Sequence, residues 1–329
     1  MSEWSTGGLP PSLKEAAAAL PAEAAATPSG LAAWLLDREG GQRLEEGRRY
    51  FGFMKLMRET FHAIAEVYDH WSPPDSDGTK QHLRFIGPDE MLVLAHQLYQ
   101  LSAEGVGGCV LECGCAHGYS SCCLRHACAH LGRSLVIADS FQGLPGTRPD
   151  EEFFRAGDYA ARRSEVEAHI RWLGRPEAVR YVEGWYRDSL ANWREPVALL
   201  WMDVDLYESA RDVMAGVFPS VDRRGIIASH EFTDFHGKPH PRGALTVTEA
   251  IFQRFEAEGL PFQQAVIMRY FGLVSFAGGP PPAAAALALA VNDRLARLDE
   301  RARAYEDLRD SRTVRWAFRL KRMLGGFRR

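Results

Sequence analysis

Short apolar runs alternate with amphipathic stretches through the middle of the chain. The apolar runs have the length of β-strands, and the stretches between them repeat apolar residues at helical spacing. Strands that alternate with helices are typical of a parallel sheet covered by helices on both faces. The predicted strands are 109–112, 134–139, 178–183, 197–203 and 225–229, and the helices between them are 119–131, 163–174, 187–193 and 207–217.

The pattern changes on both sides of this alternation. A helix is predicted from Pro88 to about Ala103, and another over 244–258. Two apolar runs, 262–268 and 270–276, then follow closely, which predicts a terminal antiparallel strand pair. We therefore predict an α/β fold with a doubly wound, mostly parallel, Rossmann-like sheet that ends in an antiparallel pair, with added N- and C-terminal helices.

Changes in composition divide the chain into five segments. Residues 1–30 are rich in Ala, Pro and Glu and are predicted to be disordered or weakly helical. Residues 31–86 are predicted to form a helical cap of two helices, and residues 87–277 form the main domain. A Gly-Gly-Pro-Pro-Pro sequence predicts a linker at 278–285, and residues 286–329 form a C-terminal helix with a basic tail.

The tail and the overall charge bear on partners. Residues 311–329 contain no acid, and their arginines alternate with apolar residues. Such a tail is typical of contact with an anionic membrane surface or an acidic partner; packing on its own domain, or on a sister subunit of a homo-oligomer, is the alternative. The net charge of −4 gives no reason to expect nucleic-acid binding. No signal peptide or membrane span is recognisable, so we expect a cytoplasmic protein. Any membrane association would be contact of the basic tail with the membrane surface.

The six cysteines are confined to one short region, from Cys109 to Cys128, where His117 and His126 are interleaved and which His130 follows closely. A zinc site would need paired ligands at a wider spacing and a second pair later in the chain. We therefore favour reduced cysteines that pack as small buried side chains.

A glycine-containing turn joins the first predicted strand of the sheet to its helix. Glu112 ends the strand, and Gly114 and Gly118 follow it in the pattern Glu-x-Gly-x-x-x-Gly. Glycines at such a turn let the backbone approach a nucleotide-like cofactor. A dinucleotide site requires glycine where Ala116 stands, whereas an acid two residues before the first glycine is typical of S-adenosylmethionine (SAM) sites. Asp139 ends the second strand, where a carboxylate can accept hydrogen bonds from ribose hydroxyls.

Four segments of the main domain resemble the macrocin O-methyltransferase family, in the family's order and spacing. They are 137–145 (Ile-Ala-Asp-Ser-Phe-Gln-Gly-Leu-Pro), 164–166, 182–190 and 200–209. The resemblance covers about residues 85–277. It implies a class I methyltransferase fold, SAM as the cofactor, and transfer of a methyl group to sugar hydroxyls in natural-product pathways.

The resemblance also implies roles for individual residues on the cofactor side. The first glycine turn would line the methionine and ribose, Asp139 would hold the ribose, and the residues after the second and third strands would contact the nucleoside and adenine. The implied cofactor contacts are Glu112, Gly114, Gly118, Asp139, Ser140, Phe141, Gly184, Trp185 and Asp203.

The chain departs from the family at the acceptor side. The family binds magnesium through an Asp after the fourth strand, matched by Asp203, and an Asp-Asp pair after the fifth, where this chain has His230 and Glu231. Asp, His and Glu form a sound ligand set, but imidazole shifts the preference toward manganese, iron, nickel or zinc. Either a divalent metal is bound by Asp203, His230 and Glu231, or His230 acts as the base without one. Asp205, His236 and His240 are further candidate bases, and for His240 a position in a polar surface loop is the alternative.

We therefore predict an enzyme that transfers a methyl group from SAM to a hydroxyl of a sugar, a glycosylated natural product or a polysaccharide. The long connection at 143–165 is predicted to form a lid over cofactor and acceptor. The alternatives are an N-methyltransferase, a methyltransferase for phenolic or peptide acceptors, and a catalytically inactive SAM-binding scaffold, because function resides in the site and not in the fold.

Overall fold

The computed structural model describes residues 38–70, 84–146, 153–234, 238, 240–268 and 270–279, with only the backbone at 38–48. The chain divides into two compact units, Met1–Phe53 and Met54–Arg329. The predictions for residues 1–30 and 286–329, for most of the linker and for His236 lie outside the described residues.

Within the described residues of the N-terminal segment there is one helix, α1 (Arg38–His70), in which Glu, Arg, Leu and Gln favour helix at the start. The predicted cap of two helices stays a prediction, because residues 31–37 and 71–83 lie outside the described residues. In the second unit the helical spacing is confirmed, since Met57, Phe61, Ile64 and Tyr68 are all buried.

A seven-stranded sheet forms the centre of the second unit, in the order β3-β2-β1-β4-β5-β7-β6. Strands β1 to β5 pair in parallel, and β7 is antiparallel to both β5 and β6, which confirms the predicted fold. The strands are β1 (Cys109–Cys113), β2 (Leu135–Asp139), β3 (Val179–Glu183), β4 (Val197–Met202), β5 (Val221–Ser229), β6 (Phe262–Val266) and β7 (Gly272–Phe276).

Helices connect these strands close to the predicted positions. They are α2 (Pro88–Ala103), α3 (Tyr119–Leu131), α4 (Arg163–Leu173), α5 (Tyr186–Ser189), α6 (Tyr207–Val217) and α7 (Val247–Ala257). The helix predicted at 187–193 ends early, at Ser189, whose hydroxyl donates hydrogen bonds to the carbonyls of Gly184 and Trp185. Strand β5 begins earlier than predicted because Asp222, Arg223 and Arg224 are not buried and hide the apolar pattern.

The order of the sheet reverses between β1 and β4. After β1 the chain adds β2 and β3 on one side, and it then crosses to add β4 and β5 on the other. Every residue of β1 and β4 is buried, so these two strands form the rigid centre of the sheet. In open α/β sheets the carboxyl ends of the strands at such a reversal enclose the ligand crevice.

Two further expectations concern the described residues as a whole. All six cysteines are free and buried, as the packing interpretation predicted. Among the helices of the described ranges, none is both long and apolar enough to cross a bilayer.

Candidate functional site

A cavity of about 550 Å³ opens at the carboxyl ends of the parallel strands. This volume suits a ligand of cofactor size together with part of an acceptor. Its wall includes Gly114 after β1, Asp139 at the end of β2, Gly184 after β3, Asp203 after β4 and His230 after β5. The residues predicted from consecutive strand ends are thus brought together in one cavity.

Gly114 allows the two central strand ends to meet. Its backbone has φ of +85°, and a Cβ at this position would lie 1.9 Å from the carbonyl oxygen of Asp203. No other residue type fits there without moving β1 away from β4. Gly118, also at φ +85°, is the N-cap of α3 and faces Val166, so it shapes the turn and is not part of the cavity wall.

Glu112 lies behind the cavity wall and not on it. Its side chain is completely buried, and its two carboxylate oxygens accept hydrogen bonds from the hydroxyls of Ser120 (2.5 Å) and Ser121 (2.6 Å). The resemblance implied that Glu112 contacts the cofactor; in the structure it instead ties β1 to the first turn of α3, and Ser120 is on the cavity wall. Burial raises the pKa of Glu112 to about 8, which the serines oppose and the charges of Asp203 and Asp139 reinforce.

This shift predicts a pH-dependent stability. Between pH about 4.5 and about 8 the folded state keeps the Glu112 proton that the unfolded state releases, so the free energy of unfolding falls as pH rises, by up to about 1.4 kcal/mol per pH unit. Glu112→Gln removes the titrating proton and should be more stable than the wild type at pH 8, with little difference near pH 4.5. Denaturant unfolding across this range tests it, and parallel pH profiles for the two proteins would contradict it.

Asp139 organises the turn on the ribose side. Its Oδ2 accepts from the backbone N–H of Cys115 (2.8 Å) and its Oδ1 from that of Phe141 (2.7 Å). Burial raises the pKa of Asp139 despite these bonds. The hydroxyl of Ser140 closes the same turn by donating to the carbonyl of Gly143 (3.0 Å). Asp139 and Ser140 are on the cavity wall, whereas Phe141 packs 6.4 Å from the ring of Tyr181, outside the wall.

The segment after β3 forms the adjacent wall. Gly184 has φ of +130° and donates its N–H to the carbonyl of Asp139 (3.0 Å), which couples this turn to the end of β2. Trp185 lines the cavity and is 38% exposed, so a face of its ring is free for a ligand to stack on. Tyr186, which ends the segment after the third strand that the resemblance places at the adenine, also lines the cavity, and burial raises its pKa well above the usual value.

Three candidate ligands meet on the opposite wall. Nδ1 of His230 lies 3.7 Å from Oδ1 of Asp203 and 4.0 Å from Oε1 of Glu231. One ligand atom from each residue lies within 4.8 Å of the others. Asp205, a predicted base, has φ of +59° and lines the same part of the cavity. The predicted base His236 is outside the described residues.

The chemistry of this cluster fits a bound cation. Burial raises the pKa of Glu231 well above its usual value, and the charges of Asp203 and Asp205 add to the effect. Burial alone would lower the pKa of His230, but the nearby carboxylates of Glu90 and Asp203 outweigh the effect of burial, so the pKa of His230 is raised. Glu231 Oε1 is buried without a hydrogen bond, although its other oxygen accepts from Ser229 (3.0 Å). Converging acceptor atoms of this kind are satisfied by a proton or a divalent metal.

The described residues of the long connection after β2, on both sides of 147–152, include several that line the cavity. The two ends of the connection pair through backbone hydrogen bonds. The N–H of Leu144 donates to the carbonyl of Asp158, and the N–H of Gly157 donates to the carbonyl of Leu144 (both 2.9 Å). Phe153 and Tyr159 face the cavity from this connection, and Phe85 faces it from the segment before α2. This placement agrees with the predicted lid region; its closure stays a prediction. The sequence analysis did not identify Phe85 as a cavity residue, because a single exposed Phe before a helix gives no sequence signal.

Comparisons with known proteins give the family of this fold and site. The chain matches the Macrocin-O-methyltransferase (TylF) family over residues 62–240. It is 32% identical over 110 residues to demethyldecarbamoylnovobiocin O-methyltransferase of Streptomyces niveus, a match that spans 30% of this chain and 42% of that protein. It is 25% identical over 190 residues to 8-demethyl-8-(2,3-dimethoxy-alpha-L-rhamnosyl)-tetracenomycin-C 4'-O-methyltransferase of Streptomyces olivaceus, covering 50% and 73% of the two chains.

A solved structure supports the fold. The O-methyltransferase NovP aligns with a TM-score of 0.55 at 20% identity, over 68% of this chain and 97% of its own. The family match covers more than half of the chain and includes the glycine turn, Asp139, Asp203 and His230. The chain therefore belongs to the macrocin O-methyltransferase family of SAM-dependent methyltransferases.

Proposed function

We propose that the protein transfers a methyl group from SAM to a hydroxyl of a sugar, a glycosylated natural product or a polysaccharide. The observation that carries the proposal is the single cavity that joins the glycine turn and Asp139 to the cluster of Asp203, His230 and Glu231. The names of the two curated relatives, which describe O-methylation of novobiocin and rhamnosyl-tetracenomycin precursors, support it.

The cofactor side of the cavity positions the methyl donor. SAM, when bound, supplies a methyl group that its sulfonium already activates. The protein must therefore hold this group in line with the acceptor oxygen, about 3–3.5 Å away. Asp139 accepts hydrogen bonds from the ribose, the backbone at Gly114 approaches the methionine part, and Trp185 offers a ring face to the adenine. Glu112 supports this wall from behind through Ser120 and Ser121.

The opposite side removes the proton from the acceptor hydroxyl. His230 directs Nδ1 into the cluster, where its lone pair can accept that proton, and Asp203 stabilises the imidazolium that results. Asp205 lies on the same wall and orients the hydroxyl. A divalent metal held by Asp203, His230 and Glu231 would lower the pKa of the hydroxyl, and this ligand set favours manganese, iron, nickel or zinc over magnesium.

A phenolic acceptor is the second candidate. Phe85, Phe153 and Tyr159 place aromatic rings at the mouth of the cavity, with Phe85 and Tyr159 in an edge-to-face contact at 5.2 Å. Aromatic rings of this kind bind planar phenols as well as the apolar faces of sugars.

Calorimetry with SAM, followed by a turnover assay with mass detection, tests the proposal. The acceptors are a rhamnosylated aglycone, its free aglycone and a simple catechol, each with chelator, Mg²⁺ or Mn²⁺. We expect SAM binding and one added methylene unit on the sugar. Methylation of the aglycone or catechol alone would favour the phenolic reading, and SAM binding without any transfer would favour a scaffold.

Asp139→Ala should weaken SAM binding by roughly 10- to 100-fold, because it removes charge-assisted hydrogen bonds to the ribose worth about 1.5–3 kcal/mol. It also frees the N–H groups of Cys115 and Phe141, which loosens the turn. Titration calorimetry with SAM measures the effect, and Glu177→Ala, an exposed carboxylate at the other end of the sheet, is the matched control. An affinity equal to that of the control would refute the ribose contact.

A further inference from the structure

Glu90, in the first turn of α2, is a carboxylate next to the cluster that takes no part in the cavity wall. Its Oε2 accepts a hydrogen bond from the backbone N–H of Gly87 (2.5 Å). Its Oε1 lies 3.5 Å from Nε2 of His230. Both side chains are nearly buried, with 14% exposure for Glu90 and 12% for His230, so solvent screens this contact little.

The two nitrogens of His230 therefore face different surroundings. Nε2 lies 3.5 Å from the carboxylate of Glu90 and is buried with no closer hydrogen-bond partner, whereas Nδ1 faces Asp203 and Glu231. The rings of Trp201 and Tyr270 lie 6.5 and 5.7 Å from the imidazole, measured between centroids, and restrict its rotation. The ring is held so that one nitrogen points out of the cavity and the other into it.

We propose that Glu90 is a positioning residue that holds His230 as the Nε2-protonated tautomer, which leaves the lone pair on Nδ1 directed at Asp203 and Glu231. A carboxylate only accepts hydrogen bonds, so Glu90, the carboxylate nearest to either ring nitrogen, stabilises an N–H at Nε2. The other nitrogen of a neutral imidazole is then the acceptor, and a cation or the acceptor's proton between Nδ1 and the carboxylates of Asp203 and Glu231 satisfies it. Histidines that bind metals are oriented by an outer carboxylate in this way.

The proposal rests on the proposed function in one respect, namely the use made of Nδ1. That nitrogen has to be unprotonated whether it binds a metal or accepts the acceptor's proton. Glu90 is suited to the role because its second oxygen is fixed on Gly87, at the start of a helix packed beside the sheet. The carboxylate is therefore anchored before any ligand binds.

The first test observes the tautomer in metal-free protein, by ¹⁵N-detected long-range NMR of the histidine rings at a pH high enough for the His230 imidazole to be neutral. His230→Asn identifies the His230 signals by their loss. The wild type should show Nε2–H. In Glu90→Gln the amide oxygen keeps the bond from Gly87, and its NH₂ group faces the imidazole, so the tautomer should change toward Nδ1–H. An unchanged tautomer in Glu90→Gln would overturn the proposal.

The second test measures Mn²⁺ affinity by calorimetry and the melting temperature of each variant. Glu90→Gln should bind Mn²⁺ roughly 10- to 100-fold more weakly than the wild type. Asp89→Asn is the matched control, since it neutralises the adjacent exposed carboxylate, which lies near His62 and not His230; its affinity should equal that of the wild type.

A lower melting temperature in Glu90→Gln with wild-type tautomer and Mn²⁺ affinity would show a helix cap only and overturn the proposal. If the wild type binds no Mn²⁺ but Glu90→Gln still changes the tautomer, the metal part of the proposed function fails and the positioning role of Glu90 stands.

Discussion

Asp203→Asn is expected to lower kcat for methyl transfer by roughly 100-fold or more at saturating SAM. The substitution keeps the size of the side chain but removes the charge that faces Nδ1 of His230 at 3.7 Å. Without it, the imidazolium formed on deprotonation loses its partner, and a metal loses one of its three candidate ligands. The loss should therefore appear in turnover, measured by product formation, more than in the melting temperature.

The same variant separates the two accounts of deprotonation. If a metal is required, chelator should reduce wild-type turnover to the level of Asp203→Asn, and added Mn²⁺ should restore the wild type alone. If chelator has no effect, His230 acts as the base. Asp188→Asn, an exposed carboxylate on α5, is the control and should retain wild-type kcat. Wild-type kcat in Asp203→Asn would remove Asp203 from the mechanism altogether.

The sheet and its cofactor edge could be predicted from the sequence because their signals are local. A buried strand, a turn and a helix each leave a recognisable pattern of about ten residues, so β1 and α3 were placed almost to the residue. Asp139 and Asp203 follow from the same patterns, since both come directly after apolar strands whose carboxyl ends share one edge. The carboxyl edge of the sheet was therefore predictable as a candidate site.

What the sequence could not predict depends on side chains that meet only in the folded chain. Glu112 has the position of a cofactor contact, but whether its carboxylate faces the cavity or α3 depends on two serines in the next helix. From the sequence, Glu90 is an acidic residue in the first turn of a helix, a position that stabilises the helix start. That role accounts for Oε2, which accepts from Gly87, but not for Oε1. Its other oxygen meets His230 because α2 packs beside the end of β5, a contact between residues far apart in the sequence.

Gly114→Ala should destabilise the second unit by about 4 kcal/mol or more and abolish measurable SAM binding. An alanine has to adopt φ of +85°, which costs about 1–2 kcal/mol. Its Cβ would also lie 1.9 Å from the carbonyl oxygen of Asp203, and backbone cannot rotate away as a side chain can. The ends of β1 and β4 must then separate, which displaces Asp203 from the cluster. Denaturant unfolding measures the first effect and calorimetry with SAM the second.

Gly132→Ala distinguishes strain from collision. Gly132, the C-cap of α3, has φ of +67°, but a Cβ there meets no atom within 4 Å. Its replacement should therefore cost only the conformational part, about 1–2 kcal/mol, and leave SAM affinity unchanged. Equal losses in the two variants would mean that Gly114 is needed for its dihedral angles alone. A larger loss in Gly114→Ala would mean that the close approach of β1 to Asp203 is what excludes a side chain, and that the geometry of the proposed active site depends on it.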